Sequence, residues 1–177
     1  NASNRMGMSI EERSASLASE TEDVAREDQI FIYDALESAM GSRVDARMAE
    51  IANHFDGVNL SETQRAIVDV FGGIRNNLPI SVNRANGETR RVVMRQGRED
   101  RGGSKHSLLR HFGTTSGYYT ADEVLLIEDV LANGERTEVR RRGVIVNEYK
   151  HTIDGVTYKV LTEKKDNREE FADFYTN

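Results

Sequence analysis

The sequence contains no cysteine and no long apolar run, and both absences exclude classes of protein. Without cysteine, neither a disulfide framework nor a thiolate zinc site can form. The four histidines show no metal-ligand spacing, so we expect no metal and no cofactor. No segment approaches about 20 consecutive apolar residues, which argues against a membrane-spanning helix and predicts a soluble protein. At 177 residues the chain is long enough to bury a hydrophobic core.

Charge is distributed unevenly along the chain. Residues 1–70 hold 6 Lys or Arg against 14 Asp or Glu, whereas residues 74–111 hold 9 basic residues against 3 acidic ones. Eight of those nine cations are arginines, whose planar guanidinium suits phosphate oxygens. We therefore expect the middle of the chain to bind polyanions, although a run of charges can equally be an ordinary solvated face.

Helix signals mark the first third of the chain. Ser9 and Ser61 each stand three residues before a Glu or Gln, which is the capping-box spacing that begins a helix. Apolar residues in an i, i+4 rhythm predict a helix over residues 24–40, and Gly41 predicts its end before a new helix. These signals predict three or four helices in an acidic helical region, residues 1–73.

From residue 74 onward the pattern is that of strands and short helices. Asn86-Gly87 between two β-rich runs predicts a hairpin, and GREDRGG after it indicates a flexible loop. Ser104 is expected to cap a short helix, and the capping box at Thr120 predicts a helix that ends at Asn133. The remaining predicted strands are residues 137–146, 147–152, 156–163 and 169–176.

These elements place the chain in the α+β class. We expect a helical N-terminal part followed by a small antiparallel β-sheet packed on helices, with residues 74–177 forming the α+β domain.

Two histidines in the segment SKHSLLRHFG are the candidate catalytic pair. His106 and His111 lie about 140° apart on a continuous helix, so we expect both to reach one site only if the helix ends between them. Cleavage of RNA needs a base for the 2′-hydroxyl, an acid for the departing 5′-oxygen and a cation for the phosphorane charge. Two imidazoles can supply the first two, and Lys150 or an arginine the third. Each histidine could instead be an ordinary surface residue.

Arginines and the last strand supply the other candidates. Strand alternation would place Arg140 and Arg142 on one face to grip an RNA backbone, or they could simply protect a sheet edge. In the last strand Asp173 and Tyr175 share one face, and Thr176 shares the other with its neighbour Phe174. His54 and His151 are expected to be structural. Three further arginines complete the candidate RNA-binding set: Arg91, Arg95 and Arg110.

At these residues the chain resembles the barnase–EndoU–colicin–RelE-like nuclease superfamily, most closely its phage- and polymorphic-toxin-associated subgroup. The resemblance covers residues 103–177 and is carried by KHSLLRHFG, TADEVLLIEDVLANG, the pair GVIVNEYK and GVTYKVLTE, and FADFYTN. It implies a small metal-independent ribonuclease, often a toxin joined to a larger bacterial or phage protein. It also implies RNA as substrate, action in the cytoplasm and a cognate immunity or inhibitor protein.

The resemblance also assigns site residues. His106 and His111 match the histidine segment, Lys150 matches a strand cation, and Tyr175 and Thr176 match terminal hydroxyl positions. Similar sequences tend to have Thr two positions before the terminal Tyr, where this chain has Asp173.

The sequence leaves two main hypotheses. The first is a ribonuclease of the toxin type that cleaves RNA by 2′-hydroxyl attack. The second is a non-catalytic module that binds nucleic acid or an acidic protein through the basic hairpin. A third, in which the acidic helices dock on the basic region, needs neither RNA nor catalysis.

Overall fold

The computed structural model describes residues 22–177, with side chains from residue 28 onward. The helix expected at Ser9 lies outside the described residues. The chain divides after Gly41 into two units, and the second unit, Ser42–Asn177, contains the whole sheet. Among the described residues, no helix is both long and apolar enough to cross a bilayer.

Of the first two helices, one differs from its prediction and the other agrees with it. Helix α1, Glu22–His54, runs through Gly41, so the predicted helix end there is wrong. A single glycine costs a helix only about 1 kcal/mol, and the buried Val44 and Ile51 continue the helical pattern beyond it. Helix α2, Glu62–Phe71, begins at the predicted capping box, in which Ser61 and Gln64 cap each other's backbone.

A six-stranded sheet with the order β1-β2-β6-β5-β4-β3 forms the centre of the second unit. All neighbours pair antiparallel except β2 and β6, which are parallel. Together with the helices, this sheet confirms the predicted α+β class. The strands are β1 Leu78–Asn83, β2 Thr89–Met94, β3 Glu135–Arg141, β4 Val144–Ile153, β5 Val156–Lys165 and β6 Arg168–Thr176.

Short turns join most of the strands. The predicted Asn86-Gly87 hairpin is confirmed, and Gly87 has the positive φ of 91° that such a turn needs. The strand predicted over residues 137–146 is wrong, because Arg142 and Gly143 both have positive φ and form a turn between β3 and β4. Arg140 and Arg142 therefore do not share a strand face.

Three short helical segments follow the first hairpin. Helix α3, Ser104–His111, begins after Gly103, so Ser104 is its first residue and not its cap; its buried hydroxyl has no partner. A 3-10 turn, Asp122–Leu125, precedes helix α4, Leu126–Asn133. The predicted helical segment is therefore present, and half of its capping box forms, because Thr120 N donates to Glu123 Oε1. The Thr120 hydroxyl donates to the same carboxylate and caps no backbone N–H of the 3-10 turn.

The two faces of the sheet have different surroundings. The helices pack on one face around large buried side chains, among them Tyr149, Phe171 and Phe174. The opposite face, here called the open face, has a small cluster of Val146, Leu161 and Ala172.

Candidate active site

Helix α3 lies along the edge of β6, where it takes the place of a neighbouring strand. Strand β2 pairs with β6 only as far as Val93, so the backbone of β6 beyond that point needs other partners. Gly103 N donates to Ala172 O at 2.8 Å, and Ser107 Oγ donates to Phe174 O at 2.7 Å. The sheet edge thus fixes the start and the middle of α3 beside the last residues of the chain.

The other side of α3 is fixed by α1 and by a buried tyrosine. Arg47 Nη1 on α1 donates to Leu108 O at 2.5 Å and to Leu109 O at 2.8 Å, near the carbonyl end of α3. The Tyr119 hydroxyl lies 2.6 Å from Ser107 Oγ, and both groups are buried. Side chains on α3 therefore project from a helix that is held at several points.

The predicted loop before α3 is present and has a close internal backbone approach. Gly97 has φ 63°, and a Cβ there would lie 1.9 Å from Gly102 O, so only glycine fits. The loop places Glu99 O 2.9 Å from His106 Nδ1. The glycines thus position a backbone acceptor for one imidazole.

Asp173 stands at a β-bulge of β6. The register between β5 and β6 shifts there, because Leu161 pairs with Asp173 while Thr162 pairs with Phe171, leaving Ala172 as the extra residue. Asp173 Oδ1 accepts a hydrogen bond from Phe174 N at 2.9 Å. The bulge and this bond leave Oδ2 directed at the histidines of α3.

Both predicted histidines meet at this carboxylate. His111 Nε2 lies 3.3 Å and His106 Nε2 3.7 Å from Asp173 Oδ2, and the two ring centroids are 6.4 Å apart. All three side chains are mostly shielded from solvent. The expectation that α3 must end between the histidines is wrong, because the rings straddle the side of the helix that faces Asp173.

Tyr175 and Lys159 extend the cluster across the open face. The Tyr175 ring centroid lies 5.1 Å from that of His111, and Lys159 Nζ lies 5.7 Å from the same tyrosine ring. Burial, followed by the nearby carboxylates of Glu148 and Asp173, raises the pKa of the Tyr175 phenol. The phenol is therefore a neutral hydrogen-bond donor near the histidines.

Other predicted catalytic residues lie outside this cluster. Thr176 Oγ1 donates to Gly117 O at 2.6 Å, on the face of β6 opposite to Asp173. Lys150 is exposed and stands opposite Lys159 in the β4–β5 ladder, so it lies one strand farther from Tyr175. Arg140 lies on the face of β3 opposite to the cluster.

Several arginines of the basic segment have partners within the fold. Arg84 donates to Leu131 O and Gly134 O, at the end of α4, and Arg90 pairs with Glu88 and Glu169. Arg95, which was predicted to bind RNA, donates to Phe171 O on β6 and forms ion pairs with Glu163 and Glu170. Less of this charge is available to a polyanion than its count implies. No ion pair within the described part of the chain involves Arg91, Arg101, Lys105 or Arg110.

Three features of this site were not predicted from the sequence. Asp173 was a departure from the similar sequences and was not predicted as the group at which the histidines meet. Strand alternation, which placed Asp173 and Tyr175 on one face, was the available signal. Neither Lys159 nor Arg47 carries any local pattern that would have distinguished it from an ordinary surface cation.

Comparisons of the chain with family models, curated proteins and solved structures return no match. The geometry of the cluster is therefore the basis for inferring a function.

Proposed function

We propose that residues 42–177 form a metal-independent endoribonuclease, similar in type to the phage- and toxin-associated nucleases named above. The observation that carries the proposal is the meeting of two imidazoles at one carboxylate. His106 and His111 present Nε2 atoms within 3.7 Å of Asp173 Oδ2, at the rim of the open face. Two imidazoles this close can act on the attacking and leaving oxygens of one phosphodiester.

The reaction needs one proton removed and one supplied. One imidazole takes the proton of the 2′-hydroxyl as O2′ attacks the adjacent phosphorus. The bond between phosphorus and O5′ breaks, and the other imidazole, in its protonated form, gives its proton to O5′. The products are a 2′,3′-cyclic phosphate and a free 5′-hydroxyl.

Hydrogen bonding assigns a role to each histidine. When protonated, His106 donates Nδ1–H to Glu99 O and holds its second proton on Nε2, which suits the general acid. His111 has its Nε2 closer to Asp173 and its ring against Tyr175. With the Nε2 proton directed at that carboxylate, the lone pair of its Nδ1 takes the role of base. Asp173 positions both rings.

Lys159 is the cation best placed to stabilise the phosphorane. It lies on the face of the sheet that bears Asp173 and Tyr175, and Lys150 stands next to it on β4. Arg141 acts electrostatically on the Tyr175 phenol, so a guanidinium also lies near this edge of the cluster. Each would offset negative charge that develops on the nonbridging oxygens.

The remaining RNA contacts and partners belong to the same proposal. Exposed Arg110 on α3 and Arg91 on β2 would contact phosphates on either side of the scissile bond. The enzyme would act on RNA in the cytoplasm, with a cognate inhibitor protein to protect the producing cell.

Incubation of the purified chain with RNA in EDTA tests the proposal. The wild type should release fragments with 2′,3′-cyclic phosphate ends, while His106→Ala and His111→Ala should each lose about 10²- to 10⁴-fold in rate. His54→Ala is the matched control, since His54 is exposed and lies on α1 outside the cluster. Equal cleavage by all four proteins would contradict the proposal, and RNA binding without cleavage would favour the non-catalytic module.

The roles of the two histidines can be separated with a better leaving group. Uridine 3′-(4-nitrophenyl phosphate) releases nitrophenolate, which needs no proton from an acid. His106→Ala should recover most of its rate on this substrate, whereas His111→Ala should remain impaired. The reverse pattern would exchange the two roles.

A further inference from the structure

We infer that His106, His111 and Asp173 also form a zinc site, at which Zn²⁺ binds and blocks the cluster. One ligand atom from each residue can be chosen so that all three lie within 4.8 Å of one another. The sequence predicted no such site, because ligands at positions 106, 111 and 173 follow no local metal-binding spacing.

The separations fit a tetrahedral ion. Zinc ligands at about 2.0–2.2 Å from the metal lie roughly 3.4 Å from one another. Asp173 Oδ2 lies 3.3 Å from His111 Nε2 and 3.7 Å from His106 Nε2. Every pair of the three ligand atoms lies within 4.8 Å, so a movement of at most about 1.4 Å would bring the widest pair to the tetrahedral spacing.

The hydrogen bonds behind the ligands support this site independently. A histidine that ligates zinc through Nε2 commonly donates Nδ1–H to a backbone carbonyl, which fixes the neutral tautomer and aims the lone pair at the metal. His106 Nδ1 lies 2.9 Å from Glu99 O, in the loop that the glycines hold in place. Asp173 Oδ1 is likewise held by Phe174 N, which leaves Oδ2 as the ligand.

Two imidazoles and one carboxylate suit zinc by their chemistry. Imidazole nitrogen and carboxylate oxygen are common zinc ligands, whereas magnesium and calcium prefer oxygen ligands alone. Three protein ligands leave one position for water.

Zinc at this position would inhibit RNA cleavage, and this part of the inference rests on the proposed function. A metal bound to Nε2 of His111 would move the proton of that ring to Nδ1, which removes the lone pair that the base needs. It would also replace the Nε2 proton of His106, which the acid needs. Proton transfer at both ends of the reaction would stop.

Zinc binding to the untagged, metal-stripped chain, measured by titration calorimetry, tests the site directly. The wild type and His54→Ala should each bind one Zn²⁺ per chain. His106→Ala, His111→Ala and Asp173→Asn should each bind at least about tenfold more weakly, since even partners behind zinc ligands contribute that much. Circular dichroism verifies that each variant is folded, and Asp173→Asn preserves the shape of the side chain.

Visible absorption of the Co²⁺-loaded chain gives a second readout of the same ligands. Bands from a low-coordinate cobalt site should appear in the wild type and be lost in Asp173→Asn. No stoichiometric zinc binding by the wild type, or unchanged affinity in the folded variants, would overturn the site.

RNA cleavage with and without zinc tests the inhibition separately. One equivalent of Zn²⁺ should suppress cleavage, and EDTA should restore it. A rise in cleavage with zinc would overturn the inhibitory role. Zinc binding by a chain that cleaves no RNA in EDTA would defeat the proposed ribonuclease and leave the metal site standing.

Discussion

Two carboxylates on opposite faces of β6, Glu169 and Asp173, have contrasting surroundings. Glu169 is 4% exposed and faces the helices. Its Oε1 accepts hydrogen bonds from three side chains of β4 and β5: Asn147 at 3.0 Å, Tyr149 at 2.5 Å and Thr162 at 2.6 Å. Arg90 Nη1 lies 3.6 Å from its other oxygen.

Asp173 has one backbone partner and two imidazole partners. Phe174 N holds one oxygen, while the other faces His106 and His111. Donors that keep their protons at neutral pH make Glu169 a structural anchor. Its two imidazole partners place Asp173 instead in the proposed active site. Similar burial can therefore serve stability or function, depending on the partners.

Removal of Glu169 should give the largest loss of stability. Glu169→Ala leaves three buried donors and Arg90 without their acceptor, and we expect a loss of about 3 kcal/mol or more in the free energy of unfolding. Urea denaturation measures it. Glu163→Ala on the open face is the control and should cost less than about 1 kcal/mol, since its ion pairs are partly exposed. Equal losses in the two variants would remove the contrast between the faces.

Asp173→Asn should have a small effect on stability and a larger effect on RNA cleavage. We expect the free energy of unfolding to change by less than about 1 kcal/mol, because the amide can still accept from Phe174 N. The kcat for RNA cleavage should fall roughly 10- to 100-fold as His106 and His111 lose their orientation. KM should not rise, since a negative charge beside the substrate phosphate is removed. A large loss of stability would instead make Asp173 a second structural anchor.

Tyr149→Phe tests how much one hydrogen bond to Glu169 contributes to stability. Loss of the hydroxyl removes one of three donors to Glu169 and should cost about 1–2 kcal/mol at neutral pH. Burial and the bond to Glu169 raise the pKa of Tyr149, so the folded chain keeps this proton after the unfolded chain has lost it at about pH 10.

The sign of this effect follows from proton linkage. The free energy of unfolding should be insensitive to Tyr149 below about pH 10 and should fall as pH rises above it. Tyr149→Phe should make that alkaline decline shallower, which urea denaturation at a series of pH values will measure. An unchanged slope would mean that Tyr149 ionises alike in both states.

Tyr175 should give the smallest effect. Tyr175→Phe keeps the ring that contacts His111, so kcat should change little. Tyr175→Ala loses that contact, which should raise the activation free energy of cleavage by about 0.5–1.5 kcal/mol and so lower kcat. Single-turnover cleavage rates of the two variants decide it. If Tyr175→Phe alone were as slow as Tyr175→Ala, the phenol hydroxyl, and not the ring, would be the contributing group.

Local patterns predicted the elements whose ends are set by nearby residues. Ser61 with Gln64 and the Asn86-Gly87 turn are satisfied within a few residues, so both were readable from the sequence. Gly41 was misread because a glycine ends a helix only where the surrounding packing allows it. The turn at Arg142 was missed because arginine rarely adopts positive φ.

The candidate site was predictable in part. Imidazole chemistry singled out His106 and His111, and strand alternation placed Tyr175 beside Asp173. Thr176 and Lys150 carry a hydroxyl and an ammonium group, which suit an RNA-cleaving site. Their positions in the sheet nevertheless place them outside the cluster. Residue type is a property of the sequence, whereas distance depends on which strands pair.

The sequence by itself determined the α+β class, the capped helix at Ser61, the first hairpin and the identity of the two histidines. These depend on hydrophobic periodicity, turn chemistry and residue type, all of which act over short stretches of chain. Only the tertiary structure decided that His106 and His111 meet at Asp173 and that Glu169 does not join them. That outcome depends on a bulge in β6 and on a helix that completes a sheet edge, which bring together groups more than 60 residues apart in the chain.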